Sequence, residues 1–201
     1  MSPVVGTIVV CWMLGAVLSH WAGIWLALGG TAIVLAAAAW STVGRVIVGR
    51  GSHVRMSIAG VLAGLAMAAI TVVVFEPAMH LAPSLRGDVS RLYGLLAQQP
   101  LLPAAFLLPI IVASEEIVWR GAVQTILGAR AGRLAACGLG TLLYAAAHLP
   151  VGSVALVLTC LVAGFCWALV RLWTDSLPAT IATHLVWDVV VLFLVQLAPP
   201  A

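Results

Sequence analysis

Two adjacent glutamates, Glu115 and Glu116, lie within an apolar run at 101–127. Ionisable groups at membrane depth are costly, and they usually face the interior of a helix bundle or a polar cavity. Later apolar segments carry His148, His184 and Asp188. Carboxylate and imidazole groups are common general acids and bases in hydrolysis. The set therefore suits cleavage of a peptide bond, with Glu115 taking a proton from a water molecule that His148 helps to hold.

The spacing of these residues gives them different neighbours. Glu116 and Arg120 are four residues apart on one helix, so their side chains can meet as an ion pair. At 100° per residue, Glu115 points about 140° away from Arg120 and is left for another partner. His184 and Asp188 have the same four-residue spacing on a later segment. We expect this second pair to stabilise the oxyanion that develops during hydrolysis.

Other interpretations of these polar groups remain open. They could pair only with one another and hold the bundle together. Glutamate and histidine can also bind zinc, although we predict no cofactor and no metal ligand here. Ser114 precedes the glutamates, but no histidine lies near it in the sequence to activate it. A serine mechanism is therefore disfavoured.

The elements that must position these groups are membrane-spanning helices. The chain has 201 residues, 64% of them hydrophobic and 7% charged, with a mean hydropathy of +1.20. A soluble domain of this size could not bury so much apolar surface. About 20 apolar residues cross the bilayer as a helix, so the sequence predicts an all-α, polytopic membrane helix bundle. About seven transmembrane helices are expected, near 4–19, 22–41, 57–76, 101–127, 135–150, 152–172 and 178–197.

The predicted bundle is one integral membrane domain, with N-terminal helices over 1–100 and a catalytic helix core over 101–197. The first two spans are expected to join through a short turn at 19–21. Apolar residues recur at helical spacing in the segment near 84–98, which indicates a helix lying in the membrane interface. The apolar positions of this segment are Leu85, Val89, Leu92 and Leu96. Such a helix could gate lateral access to the site or serve as a surface connector. Gly60 and Gly64 form a GxxxG pattern, which allows close helix packing.

The arginines predict the orientation of the bundle. If the chain crosses the membrane seven times, most of the arginines lie on the same side as the N-terminus. Only Arg86 and Arg91 lie on the other side. The larger set is Arg45, Arg50, Arg55, Arg130, Arg133 and Arg171. By the positive-inside rule, the N-terminus is cytoplasmic, and we expect a plasma-membrane (bacterial inner-membrane) protein surrounded by lipid. The net charge of +3 is too small and too scattered to indicate a nucleic-acid partner.

Three short motifs occur in order along the second half of the chain. They are EEIVWR at 115–120, YAAAH at 144–148 and HLVWD at 184–188. They resemble the EExxxR, FxxxH and HxxxN/D motifs of the CPBP family, also called Abi or type II CAAX prenyl protease-like. The resemblance covers about 101–197. It implies an intramembrane endopeptidase of the glutamate type.

The resemblance also implies a role for each matching residue. Glu115 and His148 would activate the water, and His184 and Asp188 would bind the oxyanion or polarise the scissile carbonyl. The supporting residues would be Glu116 and Arg120, which orient the first glutamate, together with Tyr144. Tyr144 stands where the motif has phenylalanine, and its hydroxyl needs a partner. An ionised carboxylate at 188 would repel an oxyanion, so Asp188 must be protonated or must instead orient His184 or the water.

The expected substrate is a membrane protein, or a lipidated protein or peptide, that reaches the site from the bilayer. Processing of C-terminal sorting or anchor signals is the preferred example. Two other function classes stay open. One is a non-catalytic membrane protein that acts as an immunity factor or scaffold. The other is a small proton-linked transporter, which would be expected to show broken half-helices or an internal repeat.

Overall fold

Seven helices in the described part of the chain are long and apolar enough to cross a membrane. The computed structural model describes residues 2–44, 48–49 and 53–199. The all-α, polytopic bundle and its number of spans are therefore as predicted, and the chain is an integral membrane protein. Arg45 and Arg50, which contributed to the predicted orientation, lie outside the described residues.

The helices follow one another with short connections. The first four are α1 (Pro3–Ala22), α2 (Ile24–Val43), α3 (His53–Leu81) and α4 (Ser84–Leu96). A single long span is built from α5 (Leu101–Glu116), a π-helical segment (Ile117–Val123) and α6 (Gln124–Ala131). The remaining helices are α7 (Arg133–His148), α8 (Val154–Thr174) and α9 (Leu177–Asp188), and α9 continues as a second π-helical segment (Val189–Val195).

The predicted turn between the first two spans was placed too early. The first helix continues through residues 19–21 and ends at Ala22, and the chain reverses at Gly23. Gly23 has a φ of 78°, and its N–H donates to the carbonyl of Ser19. A residue without a Cβ adopts this conformation readily, so the glycine sets the position of the turn.

α3 packs against α9 along the GxxxG pair. A Cβ on Gly60 would lie 2.2 Å from the carbonyl oxygen of Ala179, and one on Gly64 would lie 2.6 Å from that of Thr183. Only hydrogen atoms fit between these two backbones. This close approach holds α9, which carries His184 and Asp188, against α3.

Adding a methyl group at Gly60 is therefore expected to force the two helices apart. We expect Gly60→Ala to lower the free energy of unfolding by about 1–3 kcal/mol, the usual cost of overpacking. Thermal unfolding in detergent micelles measures the change. Gly138→Ala is the matched control, because a Cβ at that helical position would meet no atom within 4 Å. Equal unfolding temperatures for the two variants would contradict this account of the α3–α9 contact.

α4 is fastened to the start of α8. The Asp88 carboxylate accepts hydrogen bonds from the Ser153 hydroxyl at 3.0 Å and from the Ala155 N–H at 2.7 Å. Arg91 donates to the other oxygen of Asp88 at 2.5 Å and to the carbonyl of Gly152 at 2.8 Å. Burial raises the pKa of Asp88, but the Ala155 N–H, the Arg91 guanidinium and the Ser153 hydroxyl outweigh it and leave the pKa below its ordinary value. The stability from this anchor is thus present at neutral pH and is lost only as the pH falls through that lowered pKa.

Candidate active site

A cavity of about 480 Å³ lies inside the bundle, and residues of all three motifs line it. These residues are Glu115, Tyr144, His148, His184 and Asp188. The rest of the wall is mostly apolar and includes all four apolar positions of α4, namely Leu85, Val89, Leu92 and Leu96. The fold therefore brings the predicted set together, whereas the chemical role of each residue stays a prediction.

Glu116 is the centre of a buried network. Its side chain is fully buried, and its Oε1 accepts hydrogen bonds from Arg120 Nη1 at 2.9 Å and from His184 Nδ1 at 2.8 Å. Arg120 also donates through Nη2 to the carbonyl of Gly164 at 2.9 Å. The ion pair expected from the four-residue spacing is present. It contacts His184, however, and no described hydrogen bond joins it to Glu115.

His184 lies between two carboxylates. Its Nδ1 faces Glu116, and its Nε2 lies 3.5 Å from Asp188 Oδ2. Because the carboxylate of Glu116 is paired with Arg120 and accepts hydrogen bonds only, Nδ1 of His184 must carry a proton. The ring also stacks on Trp167, with centroids 3.5 Å apart and planes 18° from parallel. These contacts fix the orientation of the His184 ring.

Glu115 is held by Tyr144. The tyrosine hydroxyl donates to Glu115 Oε2 at 2.7 Å, and Glu115 is only half-buried where it lines the cavity. The partner that the Tyr144 hydroxyl required is therefore the first glutamate itself. The guanidinium of Arg120 lies over the Tyr144 ring, with its Cζ atom 4.6 Å from the centre of the ring.

His148 is less free than the sequence suggested. Its Nε2 accepts a hydrogen bond from the indole N–H of Trp12 at 3.2 Å, and its Nδ1 lies 2.8 Å from the carbonyl of Tyr144. An indole N–H only donates, so Nε2 must be the unprotonated nitrogen and Nδ1–H donates to Tyr144. Both ring nitrogens thus have protein partners. The His148 ring contacts Tyr144, at a centroid distance of 4.6 Å, and no described hydrogen bond joins it to Glu115.

Two π-helical segments adjoin the site, and no sequence pattern had indicated them. One begins directly after Glu116 and the other directly after Asp188. Segments of this kind occur often at functional sites, where they change the direction of side chains within a helix. The angle of 100° per residue, from which the directions of Glu115 and Arg120 were predicted, therefore holds only up to Glu116. Arg120 lies in the π-helical segment, where that angle does not apply.

Trp12 and Trp167 are site neighbours that the motif-based prediction missed. Trp12 lies on α1, far from any motif, and Trp167 lies on α8, between the second and third motifs. Both side chains are buried. One feature of the sequence could have indicated them. Both tryptophans lie in the middle of an apolar span, whereas anchoring at the membrane interface explains only tryptophans near the ends of spans.

The described residues do not form a zinc site. Within 2–44, 48–49 and 53–199, no group of three or more His, Cys, Asp and Glu side chains is arranged to hold a metal ion. The nitrogens of His148 and His184 face protein partners, as described above. The reaction proposed below therefore involves no metal ion.

The comparison with protein families agrees with the motifs. Residues 97–190 match a family model described as Rce1-like, type II CAAX prenyl endopeptidase. The chain matches no curated protein and no solved structure. The matched segment contains all three motifs and begins just after α4, so Trp12 and the first four helices lie outside it. At the level of the family, the match agrees with a CAAX-type intramembrane protease. Residues 97–190 of this chain are therefore similar to the Rce1-like family of type II CAAX prenyl endopeptidases.

Proposed function

We propose that this chain is an intramembrane endopeptidase whose general base is Glu115. The observation that carries the proposal is the position of this carboxylate. It lies in the wall of a largely apolar cavity inside a membrane bundle, and it is oriented by the Tyr144 hydroxyl at 2.7 Å. A carboxylate that is partly exposed to a cavity and not neutralised by an arginine is suited to take a proton from water. Its neighbour Glu116 is committed to Arg120 and His184.

In the proposed reaction, a water molecule lies between Glu115 and the carbonyl carbon of the scissile bond. Glu115 accepts one proton while the water oxygen forms a bond to that carbon. The C–N bond then breaks, and Glu115 returns the proton to the leaving nitrogen. The products are a new carboxyl terminus and a new amino terminus. No external oxidant, reductant or metal ion is needed for this balance.

The oxyanion needs a donor, and His184 is the best placed group. Its Nδ1–H is directed to Glu116, which leaves Nε2 on the side of Asp188. A proton on Nε2 would be shared with Asp188 at rest and directed to the substrate oxygen during the reaction. In this proposal Asp188 holds that proton in place and does not contact the oxyanion. This removes the conflict between an ionised carboxylate and a developing negative charge.

We propose that the substrate reaches the cavity from lipid. Three lining residues are substantially exposed on the outer surface of the bundle, namely Val74 on α3 and Leu158 and Val162 on α8. An apolar wall that continues to a lipid-facing surface suits a membrane-embedded or lipid-anchored segment better than a soluble peptide. C-terminal sorting or anchor signals are the preferred class. We place the protein in the plasma membrane with a cytoplasmic N-terminus.

A comparison of membrane proteomes tests the function without a known substrate. Cells that lack the protein are complemented with the wild type, with Glu115→Gln or with an empty vector. Mass spectrometry then compares the C-terminal peptides of their membrane proteins. We expect a defined set of truncated C-termini in the wild type alone. Identical C-termini in all three strains, with the wild type and Glu115→Gln present at equal levels, would contradict the proposal.

Removing the Trp12 hydrogen bond tests how His148 acts. We expect Trp12→Phe to lower the cleavage rate about 3–10-fold, because a hydrogen bond of about 1 kcal/mol that orients the His148 ring is lost. The rate of cleavage by the purified protein in detergent is the measurement. Trp173→Phe is the control, because that tryptophan is 75% exposed and outside the cavity. If Trp12→Phe cleaved faster than the wild type, Trp12 would not position the His148 ring. It would instead prevent a water molecule from binding to His148.

A further inference from the structure

A second cavity, of about 500 Å³, lies where the ends of α6 and α8 meet the beginning of α7. Three arginines line it, Arg120, Arg133 and Arg171, together with one acidic residue, Asp175. It contains none of the residues that line the first cavity. We propose that this cavity binds the phosphate of an anionic phospholipid headgroup. The proposal is independent of proteolysis.

The cavity carries excess positive charge. Arg171 is paired with Asp175 at 2.8 Å, and Arg120 is paired with Glu116 behind the wall. Arg133 donates instead to a neutral acceptor, the carbonyl of Leu172, at 2.8 Å. Among the described residues Arg133 makes no ion pair. Arg133 therefore has no carboxylate partner within that part of the chain and lies near two other arginines. A guanidinium in this position is suited to a phosphate, to which it can donate two parallel hydrogen bonds.

The beginning of α7 adds to this attraction. The helix is 16 residues long and starts at Arg133, and no side chain caps it, because the N-cap residue is Gly132. The N–H groups of the first turn of a helix have no partner within the helix and carry partial positive charge. An anion beside Arg133 would meet both the guanidinium and this helix end.

The surroundings select a lipid as the source of the phosphate. Leu134 and Trp173 follow the lining residues Arg133 and Leu172, and they are 67% and 75% exposed. Exposed apolar side chains at the ends of membrane spans contact lipid, and tryptophan favours the headgroup level. The arginine cavity therefore lies at the depth of the lipid phosphates. Arg120 is shared between this cavity and the buried Glu116 network, so a bound headgroup would be one side chain away from the proposed active site.

Thermal unfolding of the purified protein in a neutral detergent tests the proposal. The added ligand is short-chain phosphatidylglycerol, and short-chain phosphatidylcholine and inorganic phosphate are compared with it. We expect phosphatidylglycerol alone to raise the unfolding temperature of the wild type, by about 2–6 °C near saturation. Arg133→Gln is expected to abolish this shift. Arg130→Gln is the matched control, because Arg130 is exposed three residues away and does not line the cavity.

A second variant fills the cavity without a change of charge. Ala129 is exposed and lines the cavity, so Ala129→Trp is expected to lose the shift as well. An equal loss in Arg130→Gln and Arg133→Gln would mean diffuse attraction to a basic surface, and it would overturn the proposal. A normal shift in Arg133→Gln, or an equal shift with inorganic phosphate, would also overturn it. Since no cleavage is measured, failure here is distinct from failure of the proposed protease function.

Discussion

Replacement of Glu115 by glutamine is expected to lower the rate of peptide-bond cleavage by about 10²–10⁴-fold, the usual contribution of a general base. A glutamine can still accept the Tyr144 hydrogen bond through its carbonyl oxygen, so the site keeps its shape. It cannot accept a proton from water. The rate of substrate cleavage by the purified protein in detergent is the measurement. The unfolding temperature is expected to stay close to that of the wild type.

Glu76→Gln is the matched control for this variant. Glu76 lies in α3, is exposed and pairs at the surface with Arg86, with N–O distances of 3.1 and 2.6 Å. The same chemical change at that position is expected to leave cleavage unchanged. If Glu115→Gln cleaved as fast as Glu76→Gln, Glu115 would not be the base.

Removal of Arg120 is expected to have the largest effect on stability. In Arg120→Met, the fully buried carboxylate of Glu116 keeps His184 as a partner but loses its guanidinium. Breaking a buried ion pair by removing one member costs about 3–5 kcal/mol, because the remaining charge is left without compensation. The free energy of unfolding in mixed micelles measures this loss.

A double variant separates the charge from the lost contacts. Glu116→Gln combined with Arg120→Met leaves a neutral amide in place of the stranded carboxylate. We expect the double variant to be more stable than Arg120→Met alone. If Arg120→Met unfolded like the wild type, or if the double variant were less stable than Arg120→Met, the Glu116–Arg120 ion pair would not stabilise the fold by neutralising the buried carboxylate.

The spans and the motif residues could be predicted because their signals are local. Long apolar runs predicted the seven spanning helices, and leucine and valine at helical spacing predicted the helix α4. The location of α4 in the membrane interface stays a prediction. The Glu116–Arg120 pair followed from four-residue spacing, which survives even though the helix becomes π-helical after Glu116. Two glycines four residues apart indicated that α3 packs closely against another helix, and the structure shows that this helix is α9.

The polar contacts between side chains of different helices could not be predicted, because no local pattern encodes them. Nothing around Trp12 indicates that its indole reaches a histidine 136 positions later. The sequence suggested that Glu115 would face His148, whereas the described hydrogen bond of Glu115 is to Tyr144. Likewise, His184 was paired by spacing with Asp188, yet its closer partner is Glu116, on another helix.

Isotope labelling of the cleaved bond tests whether Glu115 activates a water molecule for peptide-bond hydrolysis. The purified protein is incubated with a mapped substrate in water enriched in oxygen-18, and the products are analysed by mass spectrometry. We expect one heavy oxygen in the new C-terminal carboxylate for the wild type, and almost no product for Glu115→Gln. Labelled product from Glu115→Gln at the wild-type rate would contradict the claim that Glu115 activates the water.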